Sequence, residues 1–348
     1  MGVRDLLSLG GGVANDAMLK EELLAWMRGG DASFEEMALR VYAYQMERNP
    51  SYRAYAEALG KVSVGDWREI PALPTDAFKF PRHALRCFPE GEIRRFFLTS
   101  GTTREVRGCH EFATMEFYET SILGGWKRLG LPEVKNPWFL SQRPEVAPNS
   151  SLVHMFRTLA EAGEERWMID AEGEMDLGQL RRSQTATALF STALALLRVL
   201  ESEEPFVLPE GSWIFETGGY KGLTETLEPE EFREKLGEFF GISPLKILNE
   251  YSMTELSSQF YRWPDEVGHR GPCWTRIRVI DPETGAPAGE GQPGYLEILD
   301  LANVDSVMAI RTQDLAIARG DSAFTLLGRD PGALPRGCSR SADDLLRR

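Results

Sequence analysis

Arg95-Phe96-Phe97-Leu98-Thr99-Ser100-Gly101-Thr102-Thr103-Arg104-Glu105-Val106-Arg107-Gly108 reads as a short strand running into a hydroxyl-rich loop bounded by glycines. Phosphate groups are held by this kind of stretch. Glycine lets backbone N–H groups approach an anion closely, Ser and Thr hydroxyls donate to its oxygens, and Arg107 adds a positive charge that does not depend on pH. It is not a Walker loop, because the Gly-Lys-Ser/Thr ending is absent. Taken alone, the same residues also describe a Ser/Thr-rich turn between strands, so the rest of the chain has to decide.

Upstream, apolar residues recur at helical spacing from Asp16 to Gly60, and Gly29-Gly30 and Pro50 interrupt the run. The Pro-rich stretch from Ile70 to Pro89 excludes a long helix and favours extended chain. Downstream, apolar runs at Trp138–Leu140, Trp213–Phe215 and Leu245–Leu248 alternate with helical patterns at Thr114–Leu129, Leu177–Leu200 and Glu228–Phe240. That alternation predicts an α/β fold with a buried sheet. From Thr275 onward strands broken by turn signals predict a β-rich part: Arg276–Ile280, Tyr295–Leu299, Val307–Arg311 and Phe324–Leu327. The expected organisation is a helical N-terminal region over 1–95, an α/β core over 96–270, a β-rich subdomain over 271–329 and a short tail over 330–348.

The 348 residues are 42% hydrophobic and 26% charged, an ordinary globular balance. A net charge of −14 has the wrong sign for general attraction to nucleic acid or an anionic membrane, so an anionic ligand must be held locally. Cys87, Cys109, Cys273 and Cys338 show no C-x-x-C spacing, so neither a disulfide framework nor a zinc ribbon is indicated. The start lacks the pattern of a secretory signal, and the most apolar segment, Thr185–Leu200, is too short and too interrupted to span a membrane and reads as a buried helix. A reducing, cytoplasmic setting is expected.

Three more segments follow the hydroxyl-rich loop in order: Glu216-Thr217-Gly218-Gly219-Tyr220, Asn249-Glu250-Tyr251-Ser252-Met253-Thr254-Glu255, and Thr312-Gln313-Asp314 followed by Gly328-Arg329. The ordered set resembles the adenylate-forming superfamily, which activates carboxylic acids with ATP. Its pattern is Thr-Ser-Gly-Thr-Thr-Gly-x-Pro-Lys-Gly, a Gly-rich adenine segment, Tyr-Gly-x-Thr-Glu, Thr-Gly-Asp and Gly-Arg. The resemblance implies that Thr99, Ser100, Gly101, Thr102 and Thr103 cradle phosphates, with Arg107 at the lysine position. Glu255 would coordinate Mg²⁺ and Thr254 would contact phosphate. Gly218, Gly219 and Tyr251 would flank the adenine, Asp314 would accept from the ribose hydroxyls, and Arg329 would sit near ribose and phosphates. Elementary chemistry agrees, since a carboxylate is a hard ligand for Mg²⁺ and can accept from two hydroxyls. Arg104, Val106, Ser252 and Gln313 depart from the pattern, standing for glycine, proline, glycine and glycine.

Only 19 residues follow Arg329, whereas ordinary ligases of this superfamily continue with a mobile domain of about a hundred residues that carries a catalytic lysine. With Leu73-Pro74-Thr75-Asp76-Ala77-Phe78-Lys79, this makes the chain similar to the acyl-protein synthetase family of bacterial luminescence, the LuxE type. That resemblance implies a large N-terminal adenylate-forming domain without the mobile C-terminal one. It also implies a fatty acid substrate, acyl transfer to Cys338 as a thioester, and an acyl reductase as partner. Arg336 and Arg340, each two residues from Cys338, would favour its thiolate. The nine residues from Arg329 to Cys338 reach up to about 30 Å when extended. Lys221 is a candidate for part of the charge that the missing lysine supplies, although a solvated surface lysine is the stronger reading of that residue from sequence. His110 is considered for substrate orientation and Cys109 as a second thiol. Two other readings remain open: a phenylacetate-type ligase that passes the acyl group to coenzyme A or a carrier protein, and a non-catalytic nucleotide-binding or interaction protein.

Overall fold

The computed structural model describes residues 13–80, 84–99, 106–160, 165–218 and 228–330. Ser100–Thr103, Gly219, Lys221 and Cys338 lie outside the described residues, so their expected roles are not placed by it.

The helical N-terminal pattern resolves into α1 (Val13–Met27), α2 (Phe34–Arg48) and α3 (Pro50–Ala58). Local chemistry sets the breaks. Ser33 caps α2 by accepting from the Glu36 N–H, and Asn49 caps α3 by accepting from the Tyr52 N–H, with Pro50 in the first helical position. The three helices bury Leu23, Met27, Val41, Tyr42 and Tyr52 in a core shared with Leu299, Val304 and Met308. Buried Gln45 secures this packing: its amide nitrogen donates to the carbonyls of Asn303 and Val304, and its oxygen accepts from the Met308 N–H. An extended segment follows, with β1 at Leu73–Pro74 and a 3₁₀ turn over Thr75–Lys79.

Next come the hairpin strands β2 (Arg95–Leu98) and β3 (Cys109–Phe112), then α4 (Glu116–Arg128), β4 (Pro137–Gln142), α5 (Ser151–Leu159), β5 (Arg166–Ile169), β6 (Ala188–Thr192), α6 (Ala193–Ser202), β7 (Trp213–Thr217), α7 (Pro229–Phe240) and β8 (Ile247–Tyr251). Strands β5, β4, β6, β7 and β8 lie side by side and parallel. They are apolar on both faces because both faces are covered. Leu189, Ile214 and Ile247 meet α6 and α7 on one side; Phe190, Phe215 and Leu248 meet α4 and α5 on the other.

The expected helix over Leu177–Leu200 is corrected. Its first part holds a 3₁₀ turn and strand β6, and α6 begins only at Ala193, where Thr192 caps it by accepting from the Ala195 N–H. A short, uniformly apolar run has no period that separates a buried strand from a buried helix. Asn249, Glu250 and Tyr251, which follow the apolar run Leu245–Leu248 in sequence, are the last residues of β8 itself.

The C-terminal part supplies β9 (Phe260–Arg262), β10 (His269–Arg270), β11 (Thr275–Ile280), β12 (Pro293–Asp300), β13 (Ala309–Ala318) and β14 (Ala323–Arg329). These continue the same sheet, which among the described residues has twelve strands in the order β11-β12-β13-β14-β10-β9-β8-β7-β6-β4-β5, with β1 added in parallel to β13. The sheet changes from parallel to antiparallel between β8 and β9. Among the described residues no helix is long and apolar enough to cross a membrane.

Candidate active site

The candidate residues gather where the sheet changes direction, at the carboxyl ends of β7 and β8, which is where open α/β sheets bind ligands. The β2 and β3 strands flank the phosphate-loop sequence. Its base is pinned twice: the Thr99 N–H donates to the Gly108 carbonyl at 2.9 Å, and the Gly108 N–H donates to the Thr99 hydroxyl oxygen at 2.7 Å. Thr99 is therefore buried as the clasp of the loop, with its hydroxyl proton still available to donate. A Cβ on Gly108 would stand 2.9 Å from Thr99 Cγ2, so glycine is required for this closure. Arg107, one residue before the clasp, is exposed.

His110 follows on β3 and is buried. Its Nδ1 lies 2.9 Å from the Thr254 carbonyl, so Nδ1–H donates and ties the hairpin to the Thr254–Glu255 turn. Burial lowers its pKa to about 4, only partly offset by that bond, and the ring stays neutral. This gives His110 a framework part rather than an acid–base one. Cys109 is pushed up to about 11 by burial and then by Glu111, which keeps it a thiol and removes its appeal as a nucleophile.

The turn after β8 is held by a buried carboxylate. Asp300 accepts from the N–H groups of Ser257, Ser258 and Ala302 and from the Ser258 hydroxyl. Asn303 donates to the Glu255 carbonyl at 2.8 Å and accepts from the Ser257 hydroxyl at 2.6 Å. Among the described residues no three His, Cys, Asp or Glu side chains converge as a metal site. A Mg²⁺ that keeps its waters and rides on ligand phosphates needs one or two protein carboxylates, and Glu255 beside Thr254 fits that requirement.

On the other flank, Tyr251 at the end of β8 donates from its hydroxyl to Asp314 Oδ2 at 2.8 Å, while its ring packs edge-on against Phe324. Asp314 on β13 faces Arg329 on β14 directly in register. The three residues expected around adenine, ribose and phosphate are thus neighbours, although 78 positions separate Tyr251 from Arg329. Gly218, the residue after β7, has φ +83°, a backbone state that favours glycine.

Sequence reasoning missed a buried relay beneath these groups. The Asn249 amide nitrogen donates to Glu216 Oε1 at 2.6 Å, which leaves the amide oxygen to accept from His269 Nε2–H. Burial lifts the Glu216 carboxyl to about 7 and, with Arg262, lowers His269 to about 3. On the opposite face of the sheet the Glu250 carboxyl accepts from the Thr217 hydroxyl and is likewise raised to about 7 by burial. Glu216, Thr217, Asn249 and Glu250 stand inside the motif segments quoted above, but the motifs give them no role, and His269 lies outside every motif.

The acyl-protein synthetase LuxE family model matches residues 193–346. The long-chain-fatty-acid–luciferin-component ligase of Vibrio harveyi is 26% identical over 303 residues, covering 80% of this chain and 77% of the relative. That of Aliivibrio fischeri is 23% identical over 331 residues, covering 86% and 84%. Among solved structures, 2-hydroxyisobutyryl-CoA ligase bound to 2-HIB-AMP and CoA shares the fold, with a TM-score of 0.59 at 16% identity over 85% of this chain and 74% of that one. A family model matching the C-terminal part of the chain and two relatives of one kind over most of its length make the chain similar to the LuxE-type acyl-protein synthetases, on a fold shared with an acyl-CoA ligase.

Proposed function

We propose that the protein activates a long-chain fatty acid with ATP and carries the acyl group on Cys338. The observation that carries the reading is the convergence of Tyr251, Asp314 and Arg329 beside a clasped phosphate-loop hairpin that His110 ties to Thr254–Glu255. Adenine lies against the Tyr251 ring and Gly218–Gly219. Asp314 accepts from the ribose, and the phosphates meet Ser100–Thr103, the Thr99 hydroxyl proton and Arg107. Glu255 would hold a Mg²⁺, which when bound would neutralise charge on the phosphates.

In the first step a carboxylate oxygen of the acid attacks the α-phosphorus, the α–β P–O bond breaks, and pyrophosphate leaves. Arg107, Arg329 and Lys221 stabilise the charge that builds on phosphate oxygens. In the second step the Cys338 thiolate attacks the acyl carbon, the bond to AMP breaks, and a thioester forms. Its acyl group then passes to a partner, an acyl reductase being the kind expected. The family match extends through residue 346 and so includes Cys338. Phosphate affinity comes from local donors, which reconciles it with a net charge of −14. The same chemistry fits a cytoplasmic protein.

The test is incubation with labelled fatty acid, ATP and Mg²⁺ in the absence of coenzyme A. Label is expected to survive denaturation and to be released by neutral hydroxylamine. Cys338→Ser is expected to abolish that label while acid-dependent ATP–pyrophosphate exchange persists. Stable product only when coenzyme A is supplied would overturn the acyl-enzyme step, and ATP binding without exchange for any acid would overturn the adenylation step.

A further inference from the structure

The segment Leu73–Lys79 has no part in the scheme above, yet it touches three of its components. Leu73 and Pro74 pair in parallel with Ile310 and Arg311, and continuing that register by two residues brings Asp76 opposite Gln313. The side chains meet there: Gln313 Nε2 donates to Asp76 Oδ2 at 3.1 Å. The other end of the same amide accepts from Arg329 Nη2 at 2.5 Å. Nitrogen toward the carboxylate and oxygen toward the guanidinium is the one orientation that satisfies both charged neighbours. Lys79 closes the series, 2.9 Å from Asp76 Oδ1. One turn along, Phe78 is buried in the cluster that contains Tyr251, and its ring stands edge-on to His110 at 5.6 Å.

We propose that Leu73–Lys79 is a positioning brace for nucleotide binding, in which Asp76 fixes the Gln313 amide and Gln313 fixes the direction of the Arg329 guanidinium. The proposal rests on the adenylation reading for the part it gives Arg329. A guanidinium on a flexible stem loses rotamer freedom when it grips a nucleotide, and a bond that already fixes its direction lowers that cost. Gln313 stands where the resembled Thr-Gly-Asp pattern has a glycine, which has no side chain to make either bond, so the brace is a feature of this chain's own sequence. Asp76, Gln313 and Arg329 are only partly buried, where hydrogen bonds to charged groups still contribute because water does not fully surround them.

The experiment measures ATP affinity of the full-length protein by calorimetric titration, beside the KM for ATP and kcat in acid-dependent pyrophosphate exchange. Asp76→Ala and Gln313→Ala are each expected to weaken ATP binding and raise KM by about tenfold, with kcat within about twofold and the melting temperature nearly unchanged. The double variant should lose no more than either single one, because both act through one path. Asp76→Asn, which keeps an acceptor for Gln313 but drops the Lys79 ion pair, should recover most of the affinity. Unchanged affinity in both single variants overturns the brace, and so do additive losses that track a lowered melting temperature and are not rescued by Asn. A wild-type protein that binds ATP without exchange would defeat the adenylation reading while the titrations still judge the brace; one that binds no ATP defeats both.

Discussion

At the scale of single residues, the clasp between Thr99 and Gly108 gives the sharpest expectation. Gly108→Ala would place a methyl carbon 2.9 Å from Thr99 Cγ2 and 3.2 Å from its hydroxyl oxygen, so the hairpin base must open. Thr99→Val keeps the shape but removes the acceptor for the Gly108 N–H, a loss of about 1 kcal/mol. Both variants are expected to bind ATP more weakly, Gly108→Ala by the larger factor, with the fold intact by circular dichroism. Equal affinity in Gly108→Ala would mean that the closure has no bearing on the nucleotide. That a glycine ends the loop was legible in the sequence. That Thr99 is the partner requiring it was not, because the requirement arises from two backbone segments meeting across a hairpin.

At the scale of elements, one buried carboxylate fastens three strands. Glu297 on β12 receives Arg278 of β11 at 2.8 Å and Arg311 of β13 at 2.7 Å, and Arg278 also donates to the Ile70 carbonyl just upstream of β1. Removing the charge with Glu297→Gln leaves two guanidinium groups facing each other, and a cost of about 3 kcal/mol is expected as a lower urea midpoint. A midpoint within experimental error of wild type would show that solvent reaches the pair. Such cross-strand triads are invisible in sequence, since 14 positions separate Glu297 from Arg311 and 19 separate it from Arg278. Strand β2 was read to the residue from its apolar run and the glycine-bounded loop after it, and the N-terminal helices from their spacing. The two-residue strands β1 and β10 were not read at all. Their existence depends on the neighbours they pair with, and two residues carry no period.

At the scale of the whole molecule, four buried titratable groups shape the pH profile of stability. Glu216 and Glu250 sit at about 7 against an ordinary 4.5, so the folded chain holds protons that the unfolded chain releases, and their contribution falls as pH rises from 4.5 to 7. His110 and His269, lowered to about 4 and 3 from 6.5, act the other way: their contribution is complete above 6.5 and declines as pH falls below it. Between 4.5 and 6.5 the slopes oppose each other and produce a plateau. The double variant Glu216→Gln, Glu250→Gln is expected to match wild type near pH 4.5 and to exceed it by roughly 1 to 3 kcal/mol at pH 8, measured by urea unfolding. A difference that does not change with pH would show that neither carboxyl holds its proton in the fold.

The parallel pairing of β1 with β13 also sets a timetable for the growing chain. Residue 73 emerges from the ribosome long before residue 310, and at about 5 to 20 residues per second the wait lasts roughly ten seconds to a minute. Through that interval the apolar faces of α1 to α3 lack Leu299, Val304 and Met308, the residues that complete their core. Helices α1 to α3 are therefore finished long after they are made, and chaperone binding during synthesis should concentrate on them.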